Sequence, residues 1–133
     1  MLTRFFRPEI AVANHGESGE SLRGFIVERR LEKLMSVIRP GHYLFIQMGH
    51  NDPKERGEGV GAFTTYKADL ERFVAEARSH GATPVLVTSM HRLTFEAAGR
   101  IANSLGDYGG GAAGRTRAES GAHRSERDEQ GAA

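Results

Sequence analysis

The order of apolar and polar positions lays out this chain before any chemistry is considered. Tyr43, Leu44, Phe45 and Ile46 form an unbroken aromatic and branched run with no polar alternation. Such a run predicts a strand buried on both faces at the centre of a parallel sheet. Ile10 to Ala13 and Pro84 to Thr88 are runs of the same kind and predict two further buried strands. From Leu22 to Ile38, the residues Leu22, Phe25, Ile26, Leu31, Leu34, Met35 and Ile38 fall at helical spacing, while Glu28, Arg29, Arg30, Glu32 and Lys33 cover the other side. Gly24 is the expected division between a short helix and a longer one, and Pro40 with Gly41 ends the second. Tyr66, Leu70, Phe73, Val74 and Ala77 make another stripe, capped by Thr64 or Thr65 and stopped at Gly81. Thr94 to Leu105 reads as a short helix or a partly ordered segment.

Strand, helix, strand, helix, strand predicts an α/β fold with a parallel sheet and right-handed crossovers. That topology gathers the loops Asn14 to Ser21, Gly49 to Asp52 and Ser89 to Arg92 beyond the carboxyl ends of the strands, where ligands of open α/β sheets bind. Gly49, His50, Asn51 and Asp52 end the central apolar run abruptly and are the expected centre of the site. The polar loop from Pro53 to Phe63, with glycines at 57, 59 and 61, is long enough to be mobile over it.

Composition then narrows the partners. A chain of 133 residues is enough for one domain with one core. Eighteen basic against 17 acidic side chains leave a net charge of +1, with no block dense enough to follow a phosphate backbone, so nucleic acid is not an expected partner. No apolar stretch approaches the roughly 20 residues that span a bilayer, so no membrane partner is expected, and the first ten residues lack the apolar segment of a signal peptide. Without cysteine there are no disulfides or thiolate metal sites, which leaves the compartment open. No histidine spacing suggests a metal, and no cofactor is expected. From Gly109 onward there is no large apolar residue, and four arginines balance four acidic residues. Residues 109–133 are therefore expected to be a disordered low-complexity tail to a folded unit of residues 1–108.

Several of these residues carry a resemblance. Asn14-His15-Gly16-Glu17-Ser18-Gly19-Glu20-Ser21, then Phe25, Pro40-Gly41-His42-Tyr43, Gln47, Gly49-His50-Asn51-Asp52 and Thr88-Ser89-Met90-His91-Arg92 together resemble the SGNH (GDSL-type) hydrolases. The match covers roughly Phe5 to Tyr108 and is nearest the rhamnogalacturonan acetylesterase branch, which deacetylates pectic polysaccharide. The resemblance implies a flavodoxin-like, three-layer α/β/α fold and an acetylated polysaccharide or small ester as substrate. It also implies that the backbone N–H of Gly19 and the side-chain amide of Asn51 hold the developing oxyanion. Asn14, His50, Asp52, His91 and Arg92 become candidates for substrate contact or loop support. In such enzymes a GDS serine attacks the ester, and an Asp-x-x-His pair supplies the base and its orienter. Neither motif occurs here, so no nucleophile is assigned, and the expectation is an incomplete chain that starts internally and changes frame or ends artificially after Tyr108. In this fold the first strand lies between the second and third. The isolated chain is therefore expected to have a gap in its sheet and to be marginally stable or prone to aggregate.

Each residue also has a plainer reading. Asn51 and Asp52 could cap the turn after a strand, Gly19 could serve only a turn, and His50 and His91 could be ordinary loop histidines. Ser18 and Ser21 lie in two GES triplets that imitate GDS, but neither has a partnered base. Beside the esterase reading stands a non-catalytic remnant or sugar-binding module of the same fold. A flavodoxin-like nucleotide binder is disfavoured because Glu17 and Glu20 would repel phosphate in the first loop.

Overall fold

The two apolar stripes between Leu22 and Ile38 do not lie on one side of a single helix. At 100° per residue, Leu31, Leu34, Met35 and Ile38 fall roughly 180° round from Leu22, Phe25 and Ile26. A continuous helix could bury only one set. The computed structural model, which describes residues 2–90, 95–97, 99–100 and 105–109, resolves this with a break. Helix α1 spans Leu22–Val27 and helix α2 spans Arg30–Val37. Between them Arg29 takes a left-handed conformation at φ 59°, and the phase is reset. The break therefore falls at Arg29, not at the expected Gly24, which lies inside α1. At Gly24 a Cβ would come within 1.9 Å of the Glu20 carboxylate, so that side chain would have to shift to admit one.

Strand β1 spans Tyr43–Ile46 and strand β2 spans Thr83–Leu86; they pair in parallel, Tyr43 opposite Thr83 and Ile46 opposite Leu86. The crossover between them is helix α3, Lys67–Ser79, entered through one π turn at Ala62–Tyr66. Thr64 and Thr65, the expected caps, lie inside that turn, and both hydroxyls bond the Gly61 carbonyl. At the far end, Gly81 N–H donates to Arg78 O at 2.9 Å and Ala82 N–H to Ala77 O at 2.9 Å, a Schellman closure that uses the positive φ of Gly81. The buried pair Ala77 and Ala82 accompanies it.

Leu22, Phe25, Leu31, Leu34, Met35, Ile46, Tyr66, Leu70 and Phe73 form one core, with Leu44 and Leu86 of the sheet packed against it. Phe25 and Phe73 meet with ring centroids 5.5 Å apart, which joins α1 to α3. All of this lies on one face of the sheet. The apolar run of β1 predicted cover on both faces, yet Tyr43 is 68% and Phe45 45% exposed, with Phe6 touching Phe45 edge-on at 6.3 Å.

The expected strand at Ile10 to Ala13 is also absent: these residues have no ladder and are exposed. An apolar run becomes a strand only when its N–H and C=O groups find an edge, and the ladder hydrogen bonds of the described residues join β1 to β2 alone. Among those residues the sheet therefore has two strands, and β1 is not flanked on both sides as expected. The architecture is an α/β unit with a parallel sheet, incomplete beside a three-layer domain. Of the expected segment Thr94 to Leu105, the described residues 95–97 and 99–100 are not helical, while 94, 98 and 101–104 lie outside the described residues. So does the expected tail beyond Gly109. No helix among the described residues is long and apolar enough to cross a membrane.

An exposed aromatic sheet face should drive self-association. In size-exclusion chromatography with light scattering, the wild-type chain is expected to run as oligomer or aggregate, and the double change Tyr43→Lys, Phe45→Lys to shift it toward monomer with an unaltered far-ultraviolet spectrum. A monomeric wild type with a cooperative thermal transition would contradict this.

Candidate active site

The chain leaves β1 at its carboxyl end through Gln47 and Met48 and turns sharply at Gly49, where φ is +110°. A Cβ on Gly49 would lie 2.5 Å from the Tyr108 carbonyl oxygen, 3.0 Å from Ser89 Oγ and 3.3 Å from the Tyr66 hydroxyl. Three separate parts of the chain thus converge on the place where a side chain is missing. Ser89 Oγ donates to the Met48 carbonyl and ties the ends of both strands together.

Asp52 binds this turn to the first loop. Only 3% exposed, its carboxylate accepts the Leu22 N–H at 2.8 Å through Oδ1 and the Gly49 N–H at 2.9 Å through Oδ2. One oxygen holds the N-terminus of α1 and the other holds the end of β1. Burial pushes the Asp52 carboxyl above the ordinary carboxylate range, and the backbone N–H groups that it accepts offset this only in part. Tyr66 and Tyr108 pack beside it with ring centroids 5.2 Å apart. Burial, with the nearby Asp52 charge and Tyr108, pushes the Tyr66 phenol far up, so it stays neutral at physiological pH.

Asn51 is held at both ends of its amide. Nδ2 donates to the Glu20 carbonyl at 3.2 Å, and Oδ1 accepts from Lys54 Nζ at 2.9 Å. The amide nitrogen carries two N–H groups, and the Glu20 bond uses one. Gly19, next to Glu20, has φ +80°, and a Cβ on it would meet no atom within 4 Å. The left-handed turn alone thus accounts for glycine there.

The first loop is fixed by its own polar groups. Asn14 Oδ1 accepts the Gly16 N–H at 3.0 Å, an Asx turn, so Asn14 supports the loop. Ser21 caps α1, its Oγ accepting the Gly24 N–H at 3.0 Å and donating to Glu55 Oε1 at 2.6 Å. That hydroxyl is buried and committed, which removes Ser21 as a nucleophile. His50 is half-buried between Gly49 and Asn51. His91 and Arg92 lie outside the described residues. The structure thus brings the loop carrying Gly19 against Asn51 and Asp52.

Sequence reasoning passed over Lys54, the Glu20 carbonyl, Tyr66 and Tyr108 as members of this cluster. Tyr66 was legible, because it is the one hydroxyl-bearing residue in an otherwise aliphatic and phenylalanine stripe; the other three carried no local signal. A groove of about 390 Å³ between α2 and α3 is lined by Leu31, Met35, Arg72, Glu76 and His80 and by none of the candidate residues. Among the described residues a crevice of about 10 Å³ lies beside Asp52 and Tyr66, room for a single water. No histidine and acidic groups among the described residues are arranged to hold a metal ion.

A parallel α/β unit presenting a Gly19 turn and a Gly-His-Asn-Asp turn at its carboxyl edge defines an SGNH (GDSL-type) hydrolase-like class, and comparison with known proteins agrees. The chain is similar to the rhamnogalacturonan acetylesterase RhgT of Bacillus subtilis (strain 168), at 41% identity over 79% of this chain and 44% of that protein. A second relative, the probable rhamnogalacturonan acetylesterase YesY of the same organism, is 41% identical over 74% of this chain and 46% of its own length. The crystal structure of the Bacillus subtilis protein YxiM superposes with a TM-score of 0.68 at 26% identity, covering 83% of this chain and 30% of that one. No family model matches. The chain spans less than half the length of these curated relatives.

Two substitutions test the joint. Asp52→Asn keeps the shape but sets an amide N–H₂ against a backbone donor, and is expected to cost about 3 kcal/mol in chemical denaturation. Gly49→Ala, meeting backbone at 2.5 Å with a positive φ, is expected to abolish the near-ultraviolet signal of the packed tyrosines. Wild-type behaviour in either variant would show that the joint is not what holds the two loops.

Proposed function

We propose that this chain carries the oxyanion-binding half of an SGNH-type carbohydrate esterase that removes acetyl groups from pectic polysaccharide such as rhamnogalacturonan. The observation that carries the reading is the 3.2 Å hydrogen bond from Asn51 Nδ2 to the carbonyl of Glu20, the residue after Gly19. It brings the amide within one residue of the glycine turn, which supports a reading in which one amide N–H and the Gly19 N–H serve a single atom between them. The names of the relatives, two of them rhamnogalacturonan acetylesterases, support acetyl esters of that polysaccharide as the substrate class.

In ester hydrolysis the carbonyl oxygen gains negative charge as the tetrahedral intermediate forms, and fixed N–H donors stabilise that charge. Asn51 is suited to this role because Lys54 on Oδ1 and Glu20 on Nδ2 fix which end of the amide bears the donors. The nucleophile and its base are not supplied by this chain's motifs, since its 133 residues contain neither GDS nor Asp-x-x-His. That same absence favours the second reading, a non-catalytic module that keeps a sugar-facing loop edge.

Acetate, which is the reaction product and a carboxylate analogue of the oxyanion, is the direct probe. In a nitrogen-15 titration, sodium acetate is expected to shift the Gly19 backbone amide and the Asn51 side-chain amide together, and Asn51→Ala to remove the Gly19 shift. No shift at either position would overturn the reading. With 4-nitrophenyl acetate the chain alone is expected to stay at background. Turnover above background that falls a hundredfold with Asn51→Ala, a loss of about 3 kcal/mol of transition-state stabilisation, would keep the oxyanion role but refute the half-site.

A further inference from the structure

Outside the Asp52 joint, the densest set of charges among the described residues surrounds Arg30 at the start of α2. Its guanidinium contacts three carboxylates: Glu28 Oε2 at 2.8 Å and Glu17 Oε2 at 3.1 Å as hydrogen bonds, and Glu20 Oε2 at 3.6 Å as an ion pair. Glu28 is local, on the break between the helices. Glu17 and Glu20 are not, because they bracket Gly19 on the loop before α1. One cation therefore holds the loop on both sides of the glycine turn.

The Glu20 side chain is the informative member. It is only 11% exposed and folds over Gly24, where a Cβ would come within 1.9 Å of its carboxylate. Its own carbonyl accepts the Asn51 amide. The linkage thus runs from Arg30 through the Glu20 carboxylate and backbone to Asn51 Nδ2, with Gly24 leaving room for the side chain to lie flat. Neither Arg30 nor Gly24 touches the reacting position.

We propose that Arg30 is a positioning residue for the oxyanion donors, holding the Gly19 turn through Glu17 and Glu20 and thereby setting the direction of the Asn51 amide. The proposal rests on the esterase reading for its chemical meaning, but its geometry can be tested without any ester. Exposed ion pairs add little to global stability, so loss of Arg30 should loosen the loop and leave the core intact.

Hydrogen exchange by mass spectrometry on the full chain separates these effects. Arg30→Met is expected to raise exchange about tenfold in peptides covering 14–21 and 47–52 while peptides of α3 keep their wild-type protection, and Arg30→Lys to restore most of the protection. Sodium chloride at 1 M, where the screening length is about 3 Å, should have the same effect on the wild type and little further effect on Arg30→Met. Unchanged exchange in 47–52, or equal loss in α3, would overturn the proposal. Because exchange is read without acetate or ester, a failed acetate titration would count against the esterase reading and leave this result interpretable.

Discussion

The Asp52 carboxylate is the constraint on which the arrangement depends. Two backbone N–H groups, those of Leu22 and Gly49, belong to different layers of the fold and come from parts of the chain about thirty residues apart, yet both end on one buried side chain. A buried donor left without an acceptor is costly, so the two loops are held to a common geometry wherever the core forms. The cost appears in the carboxyl itself, which burial makes a weaker acid than usual. The group satisfies two buried donors, the N–H groups of Leu22 and Gly49.

Around this joint the remaining polar contacts have separable roles. Ser21 and Asn14 shape the first loop from within, whereas the Asn51 amide and the Arg30 ion pairs attach it to its surroundings. Gly49 contributes by what it lacks, because the Tyr108 carbonyl and the Ser89 and Tyr66 hydroxyls approach through the space a side chain would fill. The outcome is a short edge with donors on it.

The same unit is unfinished on its other side. Helices α1, α2 and α3 share one core on one face of the sheet, while Tyr43 and Phe45 are exposed, Phe45 meeting the ring of Phe6 edge-on. Parallel sheets are ordinarily covered on both faces. The apolar composition of β1 fits such cover, and the described residues supply it on one face only. Ile10 to Ala13, apolar enough for a strand, is exposed and has no ladder.

The sequence alone determined the local elements: the unbroken run at Tyr43 to Ile46, the stripe of α3, its stop at Gly81, and the polar breaks that end each strand. These were legible because periodicity and turn chemistry act over a few residues. It also contained the helix break at Arg29, in the half-turn offset between two apolar stripes, although Gly24 drew attention away from it. Tertiary structure decided what no short window encodes. Whether an apolar run finds an edge to pair with, which carbonyl meets the Asn51 amide, and which two N–H groups share Asp52 all depend on residues distant along the chain. Hydrogen bonds of that reach exist only once the core has brought their partners to between 2.8 and 3.2 Å of each other.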